Sequence, residues 1–170
     1  LRDNSGNAAF ANVSTPLPDS LACIIYTSGT TGSAKGVMLL HSNFMGNLRA
    51  GIHYFPLDAN DVMLSILPLA HAYELSLGML YPFSTGASVC YIPKPPTPSF
   101  LMQVMSEVRP TAMLSVPLII EKVYRGSILP MLKRSKFLHW MDSHMNRTLC
   151  KIVGKRMIKI FGGRLRFFGI

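Results

Sequence analysis

Ten consecutive residues, Thr27 to Gly36, hold three glycines, five hydroxyl side chains and one lysine. Glycine lets a backbone turn at positive φ and approach a ligand with no Cβ in the way. A run of free N–H groups in such a turn forms a nest for an anion. The hydroxyls of Thr27, Ser28, Thr30, Thr31 and Ser33 add donors, and Lys35 adds a point charge suited to a polyphosphate. A flexible Gly/Ser turn is the plainer alternative, but so dense a set of donors favours phosphate binding. The pattern is not a Walker-type loop, in which a Gly-Lys pair is followed by Ser or Thr and leads into a helix. Here Lys35 is followed by Gly36 and the β-like run Val37–Leu40. The dinucleotide fingerprint G-x-G-x-x-G is also absent.

The elements that would hold this loop alternate along the chain. Leu21–Thr27 reads as a buried strand entering it and Gly36–Leu40 as a strand leaving it. His41–Phe55 carries Phe44, Met45, Leu48 and Ile52 at helical spacing, with Ser42 or Asn43 available as N-cap. Val62–Leu67, Ala87–Ile92, Ala112–Val116 and Leu165–Ile170 read as further strands. Between them, Ala70–Phe83, Phe100–Val108, Pro117–Arg125 and His139–Phe161 read as helices, the last ended by Gly162–Gly163. The four prolines of Pro93–Pro98 should stop any regular element, and Pro117 suits a first helical position. Repeated strand–helix units predict an α/β fold, a largely parallel sheet with flanking helices. Residues 1–20, rich in Asn, Ser, Pro and Asp, read as a linker or loop before a domain at 21–170.

Tyr26–Val37 closely resembles the phosphate-loop motif of adenylate-forming (AMP-binding) enzymes, departing from it at Ala34, where that family usually has proline. Leu67-Pro68-Leu69-Ala70-His71-Ala72-Tyr73-Glu74 is similar to a second family motif, in the form typical of long-chain acyl-CoA synthetases. Ser115-Val116-Pro117 with Glu121-Lys122-Val123-Tyr124, and Gly162–Gly169, resemble segments of the same subgroup in the same order. The resemblance implies part of the large N-terminal domain of a fatty-acid–CoA ligase, truncated at both ends. Such an enzyme takes ATP with Mg2+, a fatty acid and CoA, and forms an acyl-adenylate before the thioester. It implies that Thr27, Ser28, Gly29, Thr30, Thr31, Gly32 and Lys35 surround the ATP phosphates. It also places His71, Tyr73 and Glu74 at the substrate pocket, with Glu74 either orienting His71 or favouring the positive end of a helix. The family's catalytic lysine, hinge, ribose-binding Asp and adenine and magnesium motif would follow Ile170, so the isolated chain is expected not to catalyse adenylation.

Composition narrows the rest. The formal charge of +9 is concentrated between Lys122 and Arg166, where twelve Lys or Arg residues accompany one acid, Asp142. This basic 122–166 segment reads first as a solvated helix face and second as a surface for peripheral membrane contact. No aromatic stacking pattern goes with it, which argues against nucleic acid. Cys23, Cys90 and Cys150 are odd in number and far apart, against a disulfide framework, and the cytoplasm is the default setting. His41, His53, His139 and His144 match no metal spacing, so no protein metal site is expected. The alternatives are an adenylate-forming relative for another carboxylic acid, or a non-catalytic membrane- or partner-binding fragment.

Overall fold

A computed structural model describes residues 14–27, 33–130, 151, 154–155 and 158–170. Ser28, Gly29, Thr30, Thr31 and Gly32 of the expected loop lie outside the described residues. So do most of the linker and, from the basic segment, 131–150 with His139, Asp142, His144 and Cys150. Internal contacts divide the chain at Gly46–Asn47 into two units.

The first unit is built on a hairpin. β1 (Leu21–Thr27) pairs antiparallel with β2 (Lys35–Leu40), through Ile25↔Val37, Tyr26↔Gly36 and Thr27↔Lys35. Gly36 sits where a Cβ would come within 2.9 Å of the Ile24 side chain and 3.5 Å of the Tyr26 ring, so the close cross-strand packing depends on its bare backbone. β2 runs directly into α1 (His41–Tyr54), which contributes residues to both units. Neither Ser42 nor Asn43 is its N-cap. Asn43 instead acts from inside the first turn, its Oδ1 accepting from the Leu40 N–H at 2.8 Å. This is the reach-back half of a capping box, with a carboxamide doing what Glu or Gln usually does.

The second unit carries a four-stranded sheet in the order β4-β3-β5-β6, parallel throughout: β3 (Val62–Ser65), β4 (Ser88–Tyr91), β5 (Ala112–Leu114) and β6 (Phe167–Gly169). Strand residues alternate between its faces, and both faces are buried. Leu64 and Met113 pack with Leu101, Met105, Val123 and Phe161, while Met63 and Ala112 pack with Leu57 and Tyr81. A sheet covered on both sides is the usual setting for parallel strands. Tyr81 anchors the second layer. Its hydroxyl donates to the Phe55 carbonyl at 2.8 Å and accepts from the Leu57 N–H at 3.1 Å.

The flanking helices depart from expectation in three places. Half of the Ala70–Phe83 segment is a π-helical run, Glu74–Leu80, continuing into the short α2 (Tyr81–Ser84). Pro82 has no N–H to give and its ring crowds the preceding turn, so a wider turn before it relieves the clash. α3 (Pro98–Val108) starts earlier than expected, because Pro98 takes the first helical position behind a Thr97 cap whose side chain accepts from the Phe100 N–H at 3.4 Å. α4 (Pro117–Val123) opens on its proline as expected and widens into a π-helical Tyr124–Ile128. The helical residues 158–160 end at Gly162 and Gly163, both at positive φ. A Cβ at Gly162 would lie 2.4 Å from the Met105 carbonyl oxygen, so only glycine fits there.

Candidate functional site

Two places carry the residues singled out in the sequence, one in each unit. In the hairpin, the ladder ends at the Thr27↔Lys35 pair, with the Thr27 hydroxyl donating to the Lys35 carbonyl at 3.5 Å. Both residues are exposed, and neither side chain is committed to a buried contact. Strand pairing therefore brings the two ends of the Thr27–Lys35 segment side by side, and among the described residues the lysine ammonium has no ion-pair partner.

In the sheet, a cleft of about 780 Å³ opens at the carboxyl ends of β3, β4 and β5. It lies at the switch in strand order. The chain leaves β3 for β4 on one side and β5 for β6 on the other, which leaves a crevice between the β3 and β5 loops. Ser65, His71, Tyr73, Tyr91, Lys94 and Ile119 are among its lining residues, in walls otherwise made largely of Ile, Leu, Val and Pro. His71 is exposed in the β3 loop, its backbone N–H donating to the Pro68 carbonyl at 3.0 Å. Its carbonyl accepts from Leu75 N–H at 2.9 Å, so it stands at the head of the helical run. The Tyr73 ring is half-buried, and burial first, then the Glu74 charge, pushes its phenol pKa up. The Tyr91 phenol is raised by the same two causes in the same order. Lys94 holds its ammonium 4.2 Å from the centroid of the Phe100 ring, a cation–π contact at the cleft rim.

Glu74 is placed differently from its two motif partners. It is fully buried behind the cleft wall and does not line it. Its Oε1 is 2.5 Å from the Ser65 hydroxyl, and its Oε2 has no hydrogen-bond partner among the described residues. Burial raises its pKa, and the Ser65 hydrogen bond offsets this only in part. Among the described residues it makes no hydrogen bond to His71; it lies buried in the first turn of the helical run, with a strand residue as its partner. Ser65, Tyr91 and Lys94 were not singled out in the sequence. Ser65 and Tyr91 could have been found as the last residues of their strands, the end at which parallel sheets collect their sites. Lys94 sits in a proline loop with no motif to mark it.

The profile of the AMP-binding enzyme family matches residues 2–164. This chain belongs to the AMP-binding enzymes. Long chain acyl-CoA synthetase 7, peroxisomal, of Arabidopsis thaliana is 30% identical over 186 residues, covering 98% of this chain and 25% of the relative. Long-chain-fatty-acid–CoA ligase 5 of Mus musculus is 35% identical over 127 residues, covering 72% of this chain and 18% of the relative. Among solved structures, ATP-bound MatB from Rhodopseudomonas palustris superposes with a TM-score of 0.62 at 25% identity, over 90% of this chain and 24% of that one. This AMP-binding chain thus spans a quarter or less of the length of these relatives. Among its described residues, no helix is long and apolar enough to cross a membrane.

Proposed function

We propose that this chain forms part of an ATP-dependent long-chain fatty-acid–CoA ligase. The observation that carries the reading is the apolar cleft at the strand-order switch, which takes His71 and Tyr73 from the second motif. An apolar crevice with a few polar groups among its walls suits an alkyl chain bearing a carboxylate. In this reading a carboxylate oxygen attacks the α-phosphorus of ATP, the α–β phosphoanhydride bond breaks, and pyrophosphate leaves. The CoA thiol then attacks the acyl carbonyl carbon, and AMP departs.

The chain's own part is positioning. Lys35, the hydroxyls of Thr27, Ser28, Thr30 and Thr31 and the backbone of Gly29 and Gly32 would hold the β- and γ-phosphates, offsetting their charge as pyrophosphate forms. The exposed Thr27 and Lys35 at the end of the hairpin ladder fit that task. Magnesium would be held largely by phosphate oxygens; the described residues offer no group of three His, Cys, Asp or Glu placed to hold a metal. His71 and Tyr73 would contact the acid in the cleft.

A second reading, activation of a shorter or more polar carboxylic acid, is favoured by Lys94, a cation on the rim of the apolar cleft. One experiment tests both: acid-dependent exchange of labelled pyrophosphate into ATP by the full-length protein, across a series of acids, with Thr31→Ala and Lys35→Ala as controls. Exchange that needs a long-chain acid and collapses in both controls is the expected result. Exchange with short or dicarboxylic acids only would favour the second reading, and no exchange with any acid would remove the enzyme reading.

A further inference from the structure

The buried acid behind the cleft has no task in the reading above. Glu74 is fully buried, yet among the described residues only one of its carboxyl oxygens has a partner, the cleft-lining Ser65. Its seat is specific. A Cβ at Gly78 would come within 2.5 Å of the Glu74 carboxyl carbon, so the π-helical run keeps a glycine where the acid folds back on its own helix. π-helical turns recur at functional sites, because the extra residue per turn re-aims a side chain.

The groups facing Glu74 define its chemistry. From β3 it meets Ser65, and from β4 the Tyr91 phenol feels its charge. On its own element Tyr73 does the same, and β5 presents only Ala112, Met113 and Leu114. Among the described residues no cation pairs with it, since the ion pairs are Glu121–Arg125 and Asp61–Arg166. An ionised carboxylate here would leave one charged oxygen unpartnered in the interior, which is costly. A neutral acid meets a lower cost.

We propose that Glu74 is a positioning residue for the acid substrate: through Ser65 Oγ it decides whether that hydroxyl turns back into the wall or points at an oxygen of the acid in the cleft. The chemistry follows from donor and acceptor rules. A carboxylate can only accept, so it draws the Ser65 proton toward itself. A neutral carboxyl can donate its own proton to Ser65 Oγ, which frees the serine proton for the cleft. One O–H contact therefore has two directions, and only one gives the cleft floor a donor. Burial raises the Glu74 pKa and so extends that direction to higher pH than an exposed glutamate would allow. This inference rests on the proposed reading of the cleft as an acyl site.

The test is displacement of a fluorescent long-chain fatty acid from the full-length protein across mildly acidic to alkaline pH. It compares wild type, Glu74→Gln, Glu74→Ala and Ser65→Ala. Wild-type binding should weaken roughly three- to tenfold as pH rises, the worth of one hydrogen bond. Gln keeps an N–H donor toward Ser65, so Glu74→Gln should hold the tight low-pH level throughout. Glu74→Ala, with no carboxylate to draw the serine proton, should lose the pH dependence, and Ser65→Ala should bind weakly throughout. The ligand's own titration is common to all variants and cancels in their ratios. Infrared difference spectra supply a readout that needs no ligand: in wild type, a protonated-carboxyl C=O band in acid that persists to higher pH than for an exposed glutamate, lost in Glu74→Gln. Superposed wild-type and Glu74→Gln pH profiles, wild-type binding by Ser65→Ala, or no such band in the folded protein would each overturn the proposal alone. No fatty-acid binding by any variant would overturn it together with the acyl reading of the cleft, whatever pyrophosphate exchange shows.

Discussion

The hairpin and the cleft are two ways of assembling a site. The hairpin's candidate residues are contiguous, running from Thr27 to Lys35, and strand pairing needs only to bring the two ends of one segment together. The cleft gathers side chains from the end of β3 and its loop, the end of β4 and its loop, and the start of α4 after β5, residues as distant as Ser65 and Ile119. Its existence depends on the order β4-β3-β5-β6, which no local stretch encodes. The first kind of site is polar in sequence, and its described ends, Thr27 and Lys35, are exposed. The second is apolar, with its polar groups few and held by buried partners such as Glu74. The two should therefore fail differently when single residues are changed.

The largest difference is expected at Lys35. Removing the only lysine of the loop should lower pyrophosphate exchange by about 10²–10³-fold, the usual loss for one preorganised charge or donor in a transition state. Fatty-acid displacement at the cleft should change less than about twofold, because Lys35 does not line it. A Lys35→Ala protein that loses both together would show that the two regions cannot be separated in this way, and the comparison would break.

The same contrast explains what was legible in the sequence. Loop composition and the motif at Leu67–Glu74 are local features, so the family and the parallel α/β class could be read from residues alone. β5 and β6 were also visible as apolar runs, because a sheet buried on both faces needs apolar residues throughout, as in Ala112–Leu114. The π-helical Glu74–Leu80 was not visible: periodicity at 3.6 does not distinguish it from an ordinary helix, and Pro82 argues only for disturbance. The partner of Glu74 was hidden for a related reason. A motif gives an order of residues, whereas the facing partner, Ser65 on a neighbouring strand, comes from the fold. Pro98 was assigned to a loop because four prolines in six residues read as a breaker, although one proline behind a Thr cap is a normal helix start.

Gly78 gives a sharper probe of the buried side of the cleft. Gly78→Ala adds a methyl group 2.5 Å from the Glu74 carboxyl carbon, and overpacking of that kind costs about 1–3 kcal/mol. Urea denaturation should show the loss. In a Glu74→Ala background most of it should vanish, because the clashing group is gone and the two changes are not additive. An undiminished loss in the double variant would mean that Gly78 matters for helix geometry and not for seating the acid.

Glu74 itself should give a smaller, pH-dependent effect. Its folded pKa lies above the ordinary carboxylate value, so its contribution to stability is fully present below that value and is lost as pH rises through the folded pKa. Glu74→Gln should therefore match wild type in acid and become the more stable protein as pH rises. Paired denaturation curves at acid and alkaline pH check the sign. Equal stability at both would mean that Glu74 is not held neutral by its surroundings.

The smallest effect belongs to the opposite end of the sheet, where Arg166, just before β6, pairs with the buried Asp61, just before β3. Burial pushes the Asp61 pKa up, but hydrogen bonds from Thr111 and the Asp58 N–H, with the Arg166 charge, hold it below the usual carboxylate value. Its contribution is therefore present above the unfolded pKa and lost as pH falls, the reverse of Glu74. The Arg166 side chain is 58% exposed. Solvent screens its share, so Arg166→Ala should cost no more than about 1 kcal/mol at neutral pH. High salt should shrink that difference, and fatty-acid binding should not change, since this pair lies at the amino ends of the strands. A larger loss, or one insensitive to salt, would mean that Arg166 acts through its packed stem beside Phe167 and Phe168 and not through its charge.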